Sequence, residues 1–320
     1  MNQYIGHPNQ TYGVEQYRLE GGRGDGMRML RVRNGKGLDV DICLDRCGDL
    51  YRVTFKGDNF GYMSPCGFVS PQYYNPKDSE FLKSFTAGFL TTCGLTQVGP
   101  PCEDSGEELG LYGNIGNVPS EYHSYWEDEE GLHIRISMRD ASVFAHKLVL
   151  DREYIFNLEG NMIRLRDTVK NIGSSKAPLM LLYHCNIGYP LLSENAELYI
   201  PADSVKPSDA PSEKGLKDRL KMEKPQPNFA EQCFFYGFSG VPTVAIYNPD
   251  IKKGLDITFD AKNLNCFTEW KMMGEKDYVL GLEPGNCNPI GRAEARAEGV
   301  LQFISPGEEK DFWITFDFEE

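Results

Sequence analysis

The chain of 320 residues carries little positive charge. Its 33 lysines and arginines are outnumbered by 47 aspartates and glutamates, which gives a formal net charge of -14 at pH 7. Nucleic acids and anionic membrane surfaces both attract clustered basic residues, so the composition argues against either as a partner. High negative charge otherwise favours solubility and does not by itself indicate a function.

Long apolar segments are also missing from the sequence. The N-terminal stretch MNQYIGHPNQTYGV lacks the basic and then apolar regions of a secretory signal. The longest apolar run, APLMLLY, is too short to span a bilayer. The nine cysteines form no CxxC pair, and Cys43 and Cys47 are the two closest together. These features predict a cytoplasmic protein whose thiols are reduced and mostly buried.

The local signatures of several common catalytic sites are absent. The sequence contains no GxSxG, no P-loop and no HExxH, and its five histidines are too scattered for a local metal motif. The segment GGRGDGMR (residues 21–28) is rich in glycine, but an alternating strand pattern follows it where a dinucleotide site needs a helix. We therefore expect no metal site and no nucleotide cofactor.

The sequence does contain a repeated alternation of apolar and polar residues. GLDVDICLDR (residues 37–46) alternates leucine, valine and isoleucine with aspartate and cysteine. GLHIRISMRD, MIRLRDTVKN, GLDITFD and KDFWITFDF follow the same period of two. One apolar face and one polar face are typical of strands in antiparallel sheets. The pattern therefore predicts an all-β protein.

Helical periodicity is scarce by comparison. Residues 78–90 predict one short helix, and residues 211–223, PSEKGLKDRLKME, predict a charged surface insertion with a helical turn. Turn signals such as NGKG and SPGEE separate the strands, and no repeat or low-complexity linker interrupts the chain. We therefore predict a single domain over residues 1–320, built as a large antiparallel β-sandwich of two stacked sheets with few short helices.

Three segments stand out as candidates for function. Residues 85–123 are rich in glycine, threonine and asparagine, as are both ordinary sandwich loops and binding loops on a rigid scaffold. YHCNIGYPLL places His184 at the end of an apolar run, where a structural role is the simpler alternative. In YVLGLEPGN, Glu283 ends an apolar strand, so burial should raise its pKa towards that of a usable base. A capping or ion-paired carboxylate fits that position equally well.

Taken in order, these segments resemble the galactose-mutarotase-like superfamily, the aldose 1-epimerases, and within it a bacterial branch of aldose 1-epimerase family proteins. The resemblance runs from about Gly37 to the C-terminus. It rests on the order of several pieces that are each weak alone: LDRCGDL, FLTTCGLTQVG, LYGNIGNVPSE, YHCNIGYPLL, TEWKMMGEKDYVLGLEPGN and SPGEEKDF. It implies the large antiparallel supersandwich of that superfamily, in agreement with the strand alternation.

The resemblance also implies catalytic roles for two residues. His184 matches the general acid of the family, and Glu283 matches its general base. Opening a pyranose ring removes the proton of the anomeric hydroxyl while the ring oxygen is protonated, which suits a carboxylate of raised pKa and an imidazolium. The ring then closes on its other face, and no cofactor is needed. We expect the two side chains to face each other across a cleft, several ångströms apart, with the sugar ring between them.

Further residues are expected to contact the sugar: Arg46, Asp49, Tyr112, Asn114, Asn186, Trp270, Lys271 and Arg292. We expect Arg46 and Asp49 to form an internal ion pair that shapes the site. Trp270 would stack on the sugar or serve as a plain core residue, and Lys271 would hydrogen-bond the sugar. Arg292 would contact the Glu283 loop or the substrate.

The segment LYGN departs from the family pattern. Many relatives carry a histidine in L-H-G, where this chain has Tyr112, which can hydrogen-bond a hydroxyl but supplies no positive charge. A packed loop aromatic is the alternative for this residue. Relatives that act on hexose 6-phosphates follow the motif with an arginine, whereas Asn114 and Asn117 stand here. Phosphate recognition usually recruits arginine or lysine, so we expect a neutral monosaccharide.

The leading interpretation is a carbohydrate epimerase that acts at or near an anomeric centre. A different sugar isomerase, lyase or glycosidase accessory enzyme on the same fold is the second, because function resides in the site and not in the fold. A non-catalytic carbohydrate-binding protein is the third. The sequence leaves open the sugar, the pathway and the oligomeric state, with a homodimer among the alternatives.

Overall fold

A computed structural model describes residues 3–320 of the chain. This part of the chain forms mostly strands: β1 Gly13–Arg18, β2 Arg28–Arg33, β3 Leu38–Cys43, β4 Asp49–Phe55, β5 Asp58–Asn59, β6 Tyr62–Met63, β7 Ala87–Gly88, β8 Leu90–Leu95, β9 Cys102–Asp104, β10 Glu107–Leu109, β11 Ser120–Glu127, β12 Leu132–Ala141, β13 Lys147–Phe156, β14 Met162–Asn171, β15 Ala177–Pro178, β16 Met180–Ile187, β17 Glu197–Tyr199, β18 Ser204–Pro207, β19 Gln232–Gly237, β20 Thr243–Asn248, β21 Lys253–Phe259, β22 Cys266–Met273, β23 Tyr278–Gly285, β24 Phe303–Ile304 and β25 Glu309–Glu319.

Helices are short and few in residues 3–320. They comprise two α-helices, α1 Ala210–Gly215 and α2 Arg292–Ala297, and 3-10 turns at Pro8–Gln10, Gly22–Gly24, Pro71–Tyr73, Glu80–Lys83, Ile115–Asn117 and Leu216–Asp218. Helix α1 begins after Asp209, whose side chain accepts a hydrogen bond from the backbone N–H of Ser212. It lies in the predicted charged insertion. The helix predicted over residues 78–90 is reduced to the turn at Glu80–Lys83, because the chain turns extended from Ala87 into β7 and β8.

Three large antiparallel sheets make up the architecture. One has five strands in the order β1-β2-β3-β4-β5, a second has eight in the order β11-β12-β13-β14-β25-β21-β20-β17, and a third has six in the order β18-β19-β22-β23-β16-β8. The predicted all-β antiparallel sandwich is confirmed. The five-stranded sheet is an addition to the two sheets that we expected, because alternation identifies strands and not the sheet to which each belongs.

The strand pattern read from the sequence has its physical cause in the core. In β12, Ile134, Ile136 and Met138 are fully buried, whereas Arg135 and Arg139 are exposed. One continuous apolar core receives such side chains from all three large sheets. Burial of apolar surface is the main force that holds stacked sheets together, at roughly 25 cal/mol for each Å² removed from water.

A polar network crosses this apolar core. Arg152 of β13 is fully buried and forms ion pairs with Asp49 of β4 and Asp167 of β14, each at 2.7 Å. The hydroxyl of Tyr183 on β16 donates to Asp167 at 2.8 Å, and Thr92 of β8 donates to Asp49 at 2.6 Å. The network therefore joins all three large sheets directly beneath the strand that carries His184.

Two further features concern the helices and the cysteines. None of the helices in residues 3–320 combines the length and the apolar character needed to cross a membrane. The nine cysteines, all within the same residues, are free thiols, and Cys43, Cys47, Cys93, Cys185 and Cys287 are buried.

Candidate active site

The candidate site lies on the face of the six-stranded sheet that is turned away from the eight-stranded sheet. Tyr183 reaches inward to Asp167, and successive side chains of a strand point to opposite faces, so His184 points outward. The strands β23 and β22 follow β16 in the sheet and β19 comes next. Side chains of these four strands therefore share the outward face with His184.

Strand register aligns the polar residues of the site in one row. The pairing of Cys185 with Leu282 sets His184 directly opposite Glu283. Glu283 is in turn the register partner of Thr268 on β22, and His184 is the partner of Thr91 on β8. The row is thus a product of four strands that lie far apart in the sequence.

His184 and Glu283 are in contact. Nε2 of His184 lies 3.2 Å from Oε1 of Glu283, and the two residues are only 3% and 1% exposed. The expected separation of several ångströms, with a ring between the side chains, is therefore wrong. The physical reason is that directly opposed residues on neighbouring strands have Cβ atoms about 5 Å apart. A ligand has to lie over the pair and not between its members.

The polar atoms of the pair are poorly satisfied. Within residues 3–320, no group hydrogen-bonds either carboxylate oxygen of Glu283 or Nδ1 of His184, and the short contact between the two lacks hydrogen-bond geometry. Oγ1 of Thr268, in the same row, is buried and equally unpaired within these residues. Buried polar atoms without partners cost roughly 1–3 kcal/mol each, so they mark a place where a polar ligand would be accommodated.

Burial moves the two pKa values in opposite directions. It lowers the pKa of His184 to about 4, and it raises the pKa of Glu283 well above its ordinary value. The negative charge of Glu231 adds to the rise for Glu283. The raised carboxyl pKa agrees with the expectation from the apolar strand before Glu283. The expected imidazolium is not the resting form, because burial disfavours a charge on His184 as well.

Glycine at position 281 makes room for the carboxylate. Gly281 lies two residues before Glu283 on the same face of β23. A Cβ at this position would come closer than van der Waals contact to Oε1 of Glu283 and to 2.9 Å from Cβ of Trp270. The carboxylate therefore lies back along its own strand, over a position that a side chain would otherwise occupy.

Aromatic rings surround the imidazole of His184. The ring centroids of Phe85, Tyr112 and Trp270 lie 5.6, 5.6 and 5.3 Å from it, each in an edge-on arrangement. Phe81 packs on Phe85 and on Tyr112 at 5.1 and 5.6 Å. Edge-on pairs are a favoured geometry for aromatic rings, so the walls of the site hold one another in place.

A cavity of about 450 Å³ opens above His184. Its lining consists of Ser79, Phe81, Leu82, Phe85, Gly99, Pro100, Pro101, Leu111, Tyr112, His184, Ser208, Glu231, Cys233, Phe235, Trp270 and Pro289. As far as residues 3–320 define this lining, Glu231 is its one carboxylate and no lysine or arginine belongs to it. The cavity is within the usual size range of small-molecule sites and is mostly apolar, with a few polar groups.

The lining includes residues that our sequence analysis missed. Cys233 and Phe235 come from β19, which pairs with β22 and so brings Cys233 opposite Trp270. Glu231 immediately precedes β19 and accepts a hydrogen bond from Nε1 of Trp270 at 2.9 Å. No local motif marks these residues, because only the long-range pairing of β19 with β22 brings them to the site.

Two of the residues expected to contact the sugar line this cavity. Tyr112 and Trp270 line it together with His184. Asn186 follows His184 on the same face, is fully buried, and donates to the backbone carbonyl of His184 at 2.9 Å. Asn114, in contrast, is exposed, and its amide oxygen accepts the hydroxyl of Tyr74 at 3.0 Å.

The expected ion pair between Arg46 and Asp49 is wrong. Arg46 is buried and donates to the backbone carbonyls of Gly116, Val69 and Ser84. Asp49 pairs instead with Arg152 in the core network. Asp49 begins β4 with its side chain on the core face, so neither residue reaches the cavity lining defined by residues 3–320.

Lys271 and Arg292 are also directed away from the cavity. Lys271 follows Trp270 directly in β22, so it points to the opposite face, where Nζ donates to the carbonyl of Lys221 at 2.6 Å. Arg292 is buried and forms ion pairs with Asp104 at 2.7 Å and Glu107 at 2.6 Å. Arg292 is not part of the cavity lining defined by residues 3–320, and its ion pairs are not with the Glu283 loop.

Comparison with protein families gives one match. The family model described as Domain of unknown function (DUF4432) matches residues 24–318. No curated protein matches the sequence.

Comparison with solved structures shows where this fold occurs. A candidate aldose 1-epimerase from Klebsiella pneumoniae subsp. pneumoniae MGH 78578 is 24% identical, with a TM-score of 0.92 over 98% of this chain and 86% of that one. A galactose mutarotase-like protein from Clostridium acetobutylicum is 14% identical, with a TM-score of 0.69 over 98% and 100% of the two chains. Galactose 1-epimerase from Lactobacillus acidophilus NCFM is 15% identical, with a TM-score of 0.63 over 97% and 99%. The chain therefore has the galactose mutarotase-like fold.

Proposed function

Because this chain belongs to the DUF4432 family and has the galactose mutarotase-like fold, we propose that it is an aldose 1-epimerase-like isomerase that interconverts the anomers of a sugar. The proposal rests on the buried contact between Glu283 and His184, the latter of which lines the cavity. An imidazole and a carboxylate with unpaired polar atoms are the acid and base that anomer exchange requires.

The contact distance suits the chemistry of an anomeric centre. The hydroxyl oxygen and the ring oxygen of a pyranose are bonded to the same carbon, so they present two polar atoms close together on one edge of the ring. A sugar that lies over the pair brings this edge to Nε2 of His184 and the carboxylate of Glu283, which are 3.2 Å apart. Both proton transfers then take place from one side of the ring.

Each half of the reaction moves one proton in and one proton out. Glu283 takes the proton of the anomeric hydroxyl while His184 gives a proton to the ring oxygen. The bond from the anomeric carbon to the ring oxygen breaks, and the anomeric carbon becomes the carbonyl of an open-chain aldehyde. After rotation about the adjacent carbon–carbon bond, the ring closes on the other face and the two protons return.

The pair has to hold a single proton that either member can carry. Burial favours neutral imidazole and neutral carboxyl, which places the proton on Glu283 in the resting protein. This proton passes to His184 once the bound sugar has brought the two side chains, now 3.2 Å apart, into hydrogen-bond geometry. Because ring opening and ring closing use the pair in opposite directions, both locations of the proton belong to the cycle.

The walls of the cavity favour a monosaccharide without a phosphate group. Trp270 and Tyr112 contribute aromatic rings to the lining, which within residues 3–320 has no arginine or lysine for a phosphate. Glu283 lies between the strands of His184 and Trp270 and is only 1% exposed.

Proton NMR of anomer exchange tests the proposal. Freshly dissolved pure anomers of a panel of neutral aldoses are mixed with the parent protein, His184→Asn and, as a matched surface control, Glu129→Gln, whose side chain is exposed. We expect the parent and the control to accelerate exchange of at least one sugar without net product and His184→Asn to lose this acceleration. Net conversion to a different sugar would favour another isomerase or a lyase, and binding without acceleration would favour a carbohydrate-binding protein.

A further inference from the structure

Glu231 differs in charge from the other residues that line the cavity. It is exposed at the rim, just before β19, and it is the one carboxylate of the lining within residues 3–320. Its side chain accepts Nε1–H of Trp270 at 2.9 Å, and the ring of Trp270 lies 5.3 Å from that of His184. A single indole ring therefore separates this carboxylate from the proposed acid and base.

The negative charge of Glu231 acts inside the cavity without a compensating cation. The lining within residues 3–320 has no lysine or arginine that could pair with it. Its charge contributes to the raised pKa values of Glu283, Cys233 and Tyr112, three groups on different sides of the cavity. The field of this carboxylate therefore extends over the space in which a ligand would lie.

The aromatic walls of the cavity also favour a positively charged ligand. Phe81, Phe85, Tyr112, Phe235 and Trp270 all line the cavity, and the faces of aromatic rings carry partial negative charge. Aromatic faces together with one carboxylate attract an ammonium group, which also forms charge-assisted hydrogen bonds with a carboxylate. The same arrangement repels a carboxylate or a phosphate.

We propose that Glu231 is the residue that sets the charge selectivity of this site, so that the cavity favours an amino sugar, accepts a neutral sugar and rejects a sugar acid or sugar phosphate. The proposal rests on the proposed function, because it names the substrate class of the same cavity. It assigns Glu231 a part in ligand choice and none in the proton transfers.

Binding of a charge-matched sugar series tests this inference. Affinities are measured by calorimetry for a hexosamine with a free amino group, the hexose and the hexuronate of the same stereochemical series, with gluco and galacto series in parallel. Relative to the hexose, we expect the parent to bind the hexosamine about tenfold more tightly and the hexuronate about tenfold more weakly. Each tenfold step corresponds to roughly one charge-assisted hydrogen bond.

Three variants isolate the charge. Glu231→Gln keeps an oxygen that accepts Nε1–H of Trp270 and should bring the three affinities to within about twofold. Glu231→Lys should reverse their order. Glu129→Gln, an equal change of net charge at an exposed position outside the cavity lining, should retain the parent order. Urea midpoints of all variants establish that the fold is intact.

The outcomes separate this inference from the proposed function, because the measurement is of binding. If the parent shows the charge order but no anomer exchange, the enzyme proposal fails and the role of Glu231 stands. If anomers exchange but Glu231→Gln keeps the parent order, or if the parent binds none of the sugars, the role of Glu231 is overturned.

Discussion

At the scale of single residues, His184 and Glu283 show how a sheet prepares two groups for proton transfer. Their strands bury both side chains, oppose them in register and leave three of their polar atoms unpaired within residues 3–320. Burial lowers the pKa of His184 and raises that of Glu283, so each group is held near its neutral form.

The activity should depend on pH through this pair. Below about pH 4 His184 takes up a proton in addition to the one on Glu283, so neither group can act as a base and the rate falls. At high pH Glu283 loses the proton that the cycle needs, at a pH well above the ordinary carboxyl value. We therefore expect a bell-shaped profile of kcat/KM, measured by anomer exchange. A rate that rises steadily with pH through the neutral range would contradict the shared proton.

The same pKa directions predict how Glu283 affects stability. The folded protein keeps the Glu283 proton at pH values where the unfolded chain has lost it, so this residue destabilises the fold increasingly as pH rises above about 4.5. Glu283→Gln removes the ionisation. The unfolding free energy of Glu283→Gln minus that of the parent, both measured in urea, should therefore increase from pH 5 to pH 8. A difference that does not change with pH would argue against burial of the carboxyl.

Gly281 should be necessary for the placement of Glu283. Alanine here would bring Cβ against Oε1 of Glu283 and within 2.9 Å of Cβ of Trp270, so the carboxylate has to move. We expect Gly281→Ala to lower kcat by tenfold or more, since a displacement of about 1 Å can cost as much as a hundredfold in rate. Gly160→Ala, where the nearest atom would lie at 3.5 Å, is the control that should keep the parent rate. An active Gly281→Ala protein would show that the position of this carboxylate is not critical.

At the scale of elements, the strands could be predicted and their partners could not. Alternation of side chains is a local property, so β3, β12, β14, β21 and β25 were predictable from the sequence. The pairing of β19 with β22, which brings Glu231 to Trp270, spans about forty residues and leaves no local trace. Trp270 and Lys271 illustrate a rule that could have been applied, because adjacent residues of a strand cannot both face one site.

Lys271 instead secures the segment around α1 to the sheet. Its Nζ donates to the carbonyls of Asp218 and Lys221 at 3.2 and 2.6 Å, on the core side of β22. Lys271→Met should lower the unfolding free energy by about 1–3 kcal/mol, because two hydrogen bonds from a charged donor are lost. It should also speed proteolysis within residues 209–223. Lys262→Met, at an exposed position, is the control, and equal proteolysis of the two variants would exclude this anchoring role.

At the scale of the whole molecule, the core network and the shared core point to one cooperative unit. Arg152, Asp49 and Tyr183 belong to three different sheets. Arg152 pairs with Asp49 and with Asp167, and Asp167 accepts the hydroxyl of Tyr183. The predicted single domain over residues 1–320 remains a proposal, supported by an apolar core that draws on all three sheets. Asp49 was expected in an internal ion pair, although with a different partner, whereas Arg152 and Asp167 could not be recognised because they lie in strands that otherwise look like surface strands.

Removal of Arg152 should destabilise the entire chain at once. Arg152→Met leaves Asp49 and Asp167 buried without their cation, which typically costs about 3–5 kcal/mol. Urea unfolding followed by tryptophan fluorescence and by far-UV circular dichroism should shift to a lower midpoint as one coincident transition. Arg135→Met, at an exposed position of β12, is the control. Two separate transitions in the parent would contradict the single domain.

Glu283→Gln tests whether His184 and Glu283 exchange protons with a sugar at its anomeric carbon. Glutamine keeps the size of the side chain and one acceptor oxygen but cannot take a proton. For a sugar that the parent epimerises, we expect the anomer-exchange rate measured by proton NMR to fall by about 10²–10⁴ while the affinity for the sugar changes only a few-fold. Exchange at the parent rate by Glu283→Gln would contradict the account.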